Sequence, residues 1–319
     1  MKTKYLILLL FLLVSFSCEK TESFESKWTK LSNYPGDGEK SMRGIAVAAG
    51  NKILVGWGVK NNRLWLYNTQ TDTWQIIPKI TEAEREGAVT FSYNNLAYIM
   101  GGWGTNWDHY ENNDLAKKNL KYNAVTKTFE VLNDEDKTYL SKIGIVVNNK
   151  VYFLSSFTIS YEPDIDVIVL TEYDIKTDTW KKINENAEIN PDCEISFGID
   201  NKIYLGKPWT FREGEAEQEF WEYNIETNKW KRLNDYPGPE GRESTGFSIN
   251  GKGYIMGGII NSDEPVKDIW EYTPETDSWK KIGEIPLKNS LETRAVIIGN
   301  AVYFFLSSWS PYEVWKFEP

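Results

Sequence analysis

One short pattern recurs along this 319-residue chain and limits what it can fold into. Tyr223 is followed seven residues later by Trp230, and Leu233 comes three residues after that. Near-copies run Tyr67–Trp74–Ile77, Tyr122–Phe129–Leu132, Tyr173–Trp180–Ile183 and Tyr272–Trp279–Ile282. Trp28 and Leu31 open the series with only the second half of the unit. Successive anchors lie 46 to 55 residues apart. A period near 50 residues marks a repeat architecture in which each unit buries its apolar faces against its neighbours, so the repeat predicts one body where length alone would suggest two domains.

Within each unit the pattern is all-β. In the fifth, Arg242 to Ile249 reads as an innermost strand and Asn250-Gly251 as a tight hairpin turn. Gly253 to Gly258 follows as a second strand ending in a glycine pair. A loop then leads to a third strand over residues 268–272 and an outer strand at Trp279. The second unit repeats Arg85-Glu86 and Tyr98-Ile99-Met100-Gly101-Gly102. The glycine pair, the spaced aromatic and the turn-then-Trp resemble the kelch repeat family over residues 28–317. The pair is altered to Gly56-Trp57-Gly58, Ser155-Ser156, Gly206-Lys207 and Ser307-Ser308 in the remaining units.

The resemblance implies a six-bladed kelch-type β-propeller. Five complete units lie between Trp28 and Trp279. The sixth, after Trp279, lacks an outer strand, while residues 27–32 are an outer strand lacking a blade. Pairing the two is expected to close the ring and remove two open edges. The recurrent Trp and Tyr side chains are expected to pack between neighbouring blades.

Residues 1–17 are expected not to belong to the fold. Lys2 and Lys4 precede an apolar run, and Ser15-Phe16-Ser17 leads to Cys18. This resembles a bacterial lipoprotein signal, with Cys18 as the acylated residue, 18–26 as a polar tether and 27–319 as the propeller. The run is too short to span a bilayer. Localisation in the cell envelope, held to a membrane by the N-terminal lipid, follows. With Cys18 lipidated, Cys193 has no disulfide partner. The formal charge of −10 disfavours a nucleic-acid partner.

The connections between second and third strands are long and lie on one face, about 57–62, 103–118, 157–166, 207–219, 259–267 and 307–311. They carry the candidate ligand-binding residues Trp57, Trp103, Trp107, Tyr110, Phe157, Trp209 and Trp309. Exposed aromatics at a ring mouth suit stacking on a sugar or packing on a peptide; the alternative is that they fold inward and plug the channel. Arg85 and Arg242 begin inner strands, from which they can hold a carboxylate or pair with Glu86 and Glu243.

Catalytic groupings are sparse. The single histidine, His109, cannot supply the two-histidine copper site of the kelch oxidases that resemble galactose oxidase, nor a zinc site. The acidic runs 162–166 and 213–219 lack the spacing of a calcium loop. No cofactor or metal is expected. The leading expectation is therefore a non-enzymatic, membrane-anchored propeller that binds a partner protein or glycan through its long-loop face. The alternative is a carbohydrate-active enzyme resembling the kelch-type sialic acid mutarotases.

Overall fold

The computed structural model describes residues 27–79, 84–104, 118–132, 143–161, 164–185, 195–206, 219–239, 242–260, 264–288, 292–308 and 310–319. Six four-stranded antiparallel sheets form the blades of a propeller. Blade 1 consists of Ile45–Ala49, Lys52–Gly56, Leu64–Asn68 and Thr73–Ile77. Blade 2 consists of Val89–Tyr93, Leu96–Met100, Leu120–Asn123 and Thr128–Val131. Blade 3 comprises Ile143–Val147, Lys150–Tyr161, Asp164–Asp174 and Thr179–Glu185, and blade 4 comprises Ile195–Ile199, Lys202–Gly206, Phe220–Asn224 and Lys229–Arg232. Blade 5 comprises Thr245–Ile249, Lys252–Met256, Asp268–Thr273 and Ser278–Glu284. Blade 6 comprises Arg294–Ile298, Ala301–Phe305 and Trp315–Phe317, and its fourth strand is Trp28–Lys30 from the other end of the chain.

That last pairing closes the ring as expected from the sequence. Trp28 stands opposite Phe317, Thr29 opposite Lys316 and Lys30 opposite Trp315. The Trp28 and Phe317 rings stack at 4.7 Å. Backbone bonds from Leu31 N–H to Val314 O (2.9 Å) and from Glu318 N–H to Lys27 O (2.9 Å) extend the seam at both ends. The inner strands neighbour one another round the ring, with blade 6 meeting blade 1.

The apolar core is divided into six wedges, one between each pair of neighbouring blades. The recurrent tyrosines Tyr67, Tyr122, Tyr173, Tyr223 and Tyr272 are the fully buried members, at 0% exposure. Their Trp or Phe partners lie 4.6 to 4.8 Å away and cover them as half-buried lids. Some contacts cross blades: Trp74 meets Phe305 of blade 6, and Trp279 meets Phe220 of blade 4.

A polar latch explains the turn that precedes each lid. The Tyr67 hydroxyl donates to Asp72, Tyr173 to Asp178, Tyr223 to Asn228 and Tyr272 to Asp277, at 2.7 to 2.9 Å. The acceptor sits in the left-handed region, with φ between 46° and 53°, which Asp and Asn tolerate better than most residues. In two blades the acceptor also reaches the preceding segment. Asp72 takes the Ser32 amide at 3.0 Å, and Asp277 takes the Asn234 amide at 3.2 Å. Blade 2 departs from this rule. Lys127 holds the left-handed position at φ 58°, and the buried Tyr122 hydroxyl has no partner among the described residues.

One expected loop is a strand instead. In blade 3 the second and third strands pair as far as Tyr161 opposite Asp164, so most of residues 157–166 form a projecting hairpin. The β-branched run Val167-Ile168-Val169 suits a ladder, which a register shift interrupts between Thr158 and Ser160. Because pairing runs on through Ser155 and Ser156, opposite Val169 and Ile168, no glycine pair is needed there.

The latch is testable. Lys127→Asn gives Tyr122 an acceptor without touching the core, and should raise stability by about 1 kcal/mol, seen as a melting temperature about 2 °C higher. Asn228→Ala should cost about as much. A Lys127→Asn protein that melts no later than wild type would show that the orphan hydroxyl costs nothing.

Candidate functional site at the channel mouth

In blades 1, 2, 5 and 6 the start of the inner strand pairs with the end of the second strand: Ile45 with Gly56, Val89 with Met100, Thr245 with Met256, Arg294 with Phe305. The inner strands therefore begin on the same face as the long connections. Just beyond each of these second strands the chain turns through a left-handed residue: Trp57 (φ 51°), Gly101 (59°), Gly257 (69°) and Leu306 (56°). The left-handed positions thus align Trp57-Gly58 and Leu306-Ser307 with the glycine pairs, the latter one residue earlier than the Ser307-Ser308 expected above. The second glycine is held by contact as well as by φ. A Cβ on Gly102 would fall 2.9 Å from Glu86 O, and on Gly258 2.8 Å from Arg242 O. The pair therefore packs against the backbone that carries the site residues.

Two residues before the inner strands of blades 1, 2, 5 and 6 stands another left-handed position. It holds Arg43 (φ 56°), Gly87 (64°), Glu243 (59°) and Glu292 (52°) in turn. Three charged non-glycine residues held in this region mark a strained rim, and such strain concentrates at functional sites. Cross-blade bonds fix the rim. Gly87 N–H donates to Arg43 O at 2.7 Å, Arg294 Nε–H to Gly44 O at 3.0 Å, and the Thr245 hydroxyl to Thr293 O at 3.3 Å.

The rim brings together Arg43, Glu86, Glu243, Glu292 and Arg294 from four blades. Arg43 is exposed, and its Nε–H donates to Glu292 Oε1 at 3.2 Å. The Ser308 hydroxyl donates to Glu292 Oε2 at 2.8 Å. Arg43 also feels the charges of Glu86 and Glu243, and its pKa is raised, chiefly by the bond to Glu292. Burial pushes the Arg294 guanidinium down, against the attraction of Glu292. Glu86 is 7% exposed, and its Oε2 has no partner among the described residues. Desolvation raises the Glu86 carboxyl above its ordinary value; Arg43 opposes the rise and Glu292 adds to it. A carboxyl raised by burial beside a cation is a group suited to general acid–base work.

The residues singled out in the sequence divide sharply. Trp57 does not line the mouth: at 1% exposure it lies in the wedge between blades 1 and 2, 6.3 Å from Phe129. Arg85 is fully buried. It donates from Nη1 to Gly101 O (3.0 Å) and Lys118 O (2.7 Å), joining the two ends of the longest connection, and its guanidinium lies 5.8 Å from the Trp57 ring. Neither presents itself to a ligand as expected, because each fills space that the closed ring leaves between blades. Arg242 is half-buried, its Nε without a partner among the described residues, and its backbone pairs with Ile259. Trp103 pairs with Glu86 through a two-residue ribbon. Phe157 lies in the blade 3 hairpin; for it, as for Trp103, only the backbone is described. Trp107, His109, Tyr110, Trp209, Trp309 and Cys18 lie outside the described residues. Arg43, Glu292, Arg294 and Ser308 had no signal in the sequence: the left-handed rim position holds Arg, Gly, Glu and Glu in turn, so no single residue type marks it.

Comparison with known proteins agrees with this architecture. The kelch motif matches residues 244–286, which form blade 5. N-acetylneuraminate epimerases of Shigella sonnei (strain Ss046) and Escherichia coli (strain K12) are each 28% identical over 156 residues. The epimerase of Shigella boydii serotype 4 (strain Sb227) is 28% identical over 157 residues. Each match covers 45% of this chain and 38% of the relative's own length.

The raised Glu86 carboxyl has a signature in stability. A carboxyl whose folded pKa lies above its unfolded value favours the fold below the unfolded value and loses that contribution as pH rises through the folded one. Glu86→Gln should therefore be more stable than wild type near pH 7, with the difference closing as the pH is lowered through the carboxylate range. Denaturant melts of both proteins from pH 7 to pH 4 measure this; a constant difference would mean that Glu86 is not strained by its burial.

Proposed function

We propose that this six-bladed kelch propeller binds a carboxylated sugar of the N-acetylneuraminate kind at its long-loop face and interconverts its anomers. The observation that carries the reading is Glu86, a buried carboxyl with a raised pKa and an oxygen that no described residue meets, set beside Arg43 at the channel mouth. The names of the relatives support the substrate class. Anomer exchange of such a sugar needs little machinery. A proton leaves the anomeric hydroxyl, another joins the ring oxygen, and the bond between that oxygen and the anomeric carbon breaks. The open ketone then turns and closes on its other face by the same steps reversed. Glu86 exchanges the proton, and Arg43 offers a cation to the sugar's carboxylate.

NMR of freshly dissolved sugar tests this. Wild-type protein should speed anomer exchange, and Glu86→Gln should slow it by about 100-fold or more. Binding without acceleration would instead favour a module that recognises a glycan or protein partner through the same face. Absence of both would leave neither reading standing.

The membrane anchor belongs to the same proposal. Acylation at Cys18 would hold the propeller to the cell envelope by its tether. Cys18→Ser should move the protein from the membrane fraction to the soluble one; retention after a salt wash would mean that something other than the acyl chain holds it.

A further inference from the structure

Two carboxylates at the mouth compete for one guanidinium. Arg43 feels the charges of both Glu292 and Glu86, yet its Nε–H bond goes to Glu292. Three features favour that outcome. Ser308 occupies the other Glu292 oxygen at 2.8 Å and so fixes the carboxylate's orientation. Arg294 ties the start of the blade 6 inner strand to Gly44 O, the residue next to Arg43, which sets the distance between the rims of blades 6 and 1. The Arg43 backbone is itself clamped through its carbonyl by Gly87 N–H. Glu86, on the other side of that clamp, is left with an oxygen that no described residue meets.

We propose that Glu292 is a positioning residue: braced by Ser308, it keeps the Arg43 guanidinium off Glu86, leaving Glu86 without an ion-pair partner among the described residues and the exposed end of Arg43 for the substrate's carboxylate. This rests on the reading of Glu86 as the acid–base group. The other charges nearby do not replace this device. Arg85, next to Glu86 in sequence, turns into the protein to Gly101 and Lys118. Arg294 faces Glu292 and Arg43. Glu243 reaches the cluster through its field on Arg43.

The test is a titration of the Glu86 side-chain carboxyl by carbon-13 NMR, which reads the group whether or not the protein is an enzyme. Glu292→Gln should release Arg43 toward Glu86 and lower the Glu86 midpoint by about one unit or more. Ser308→Ala leaves every charge in place and should shift it the same way by a smaller amount. Glu292→Asp should restore the midpoint in part. Removing a negative charge also lowers a neighbouring carboxyl directly, so the same Glu292→Gln change is repeated in an Arg43→Gln background, where the shift should fall to less than half. An equal shift in both backgrounds, or an unmoved midpoint after both Glu292→Gln and Ser308→Ala, would overturn the proposal. Where wild-type protein speeds anomer exchange, the pH midpoint of exchange should follow the NMR midpoint, and KM should rise more than kcat falls. Absence of exchange in wild type would count against the acid–base reading alone, since the titration still decides the positioning role.

Discussion

The pairing of Trp28–Lys30 with Trp315–Phe317 is the constraint on which the rest of the molecule depends. A propeller blade has two apolar faces and cannot bury either alone. Each needs a neighbour on both sides, and that requirement is met everywhere only when the last blade meets the first. The seam joins segments almost three hundred residues apart, so its entropic cost is that of closing the whole ring; loop-closure cost grows only slowly with length, and the six wedges offset it. Closure also leaves no long unpaired edge along the seam.

The same closure makes the channel mouth. Wedges narrow toward the axis, so the inner strands come close and their first residues touch across blades. Gly144 and Gly246 show how tight this is, since a Cβ there would fall 2.2 Å from Val89 and 2.7 Å from Ile195. At the rim the chain turns into the inner strands of blades 1, 2, 5 and 6 through a left-handed residue. Where that residue is Arg43, Glu243 or Glu292 rather than glycine, the local cost falls in the range of about 1–3 kcal/mol usual for such strain. The ring spends stability there and sets charged side chains round one opening. A carboxyl raised by burial, a guanidinium shared between acids and a serine brace form a group that a packing role alone does not require.

Buried charge is used in two different ways at neighbouring positions. Arg85 is a structural cation: its hydrogen bonds satisfy two carbonyls and its face lies near an indole, so it joins the ends of a long connection. Glu86, the next residue, keeps an oxygen that no described residue satisfies. Adjacent residues on an extended strand point to opposite sides, which is how one dipeptide sends its two side chains into different surroundings.

The repeat by itself determined the fold class, the blade count and the closing strand, because a Tyr–turn–Trp unit spaced near 50 residues has to be buried by copies of itself. It also marked Trp74, Trp180, Trp230 and Trp279 as packing residues, and they lie as lids on buried tyrosines. Tertiary structure alone decided which charged residues share the mouth. Arg43, Glu86, Glu243 and Glu292 come from four blades, and what Arg43, Glu243 and Glu292 share is a backbone angle rather than a residue type, so no motif connects them. It also buried the side chains of Trp57 and Arg85. In sequence, an aromatic beside a glycine and an arginine at a strand start resemble site residues; in the ring, both lie in a wedge between two blades, and burial there is set by the neighbouring blade, which no local pattern encodes.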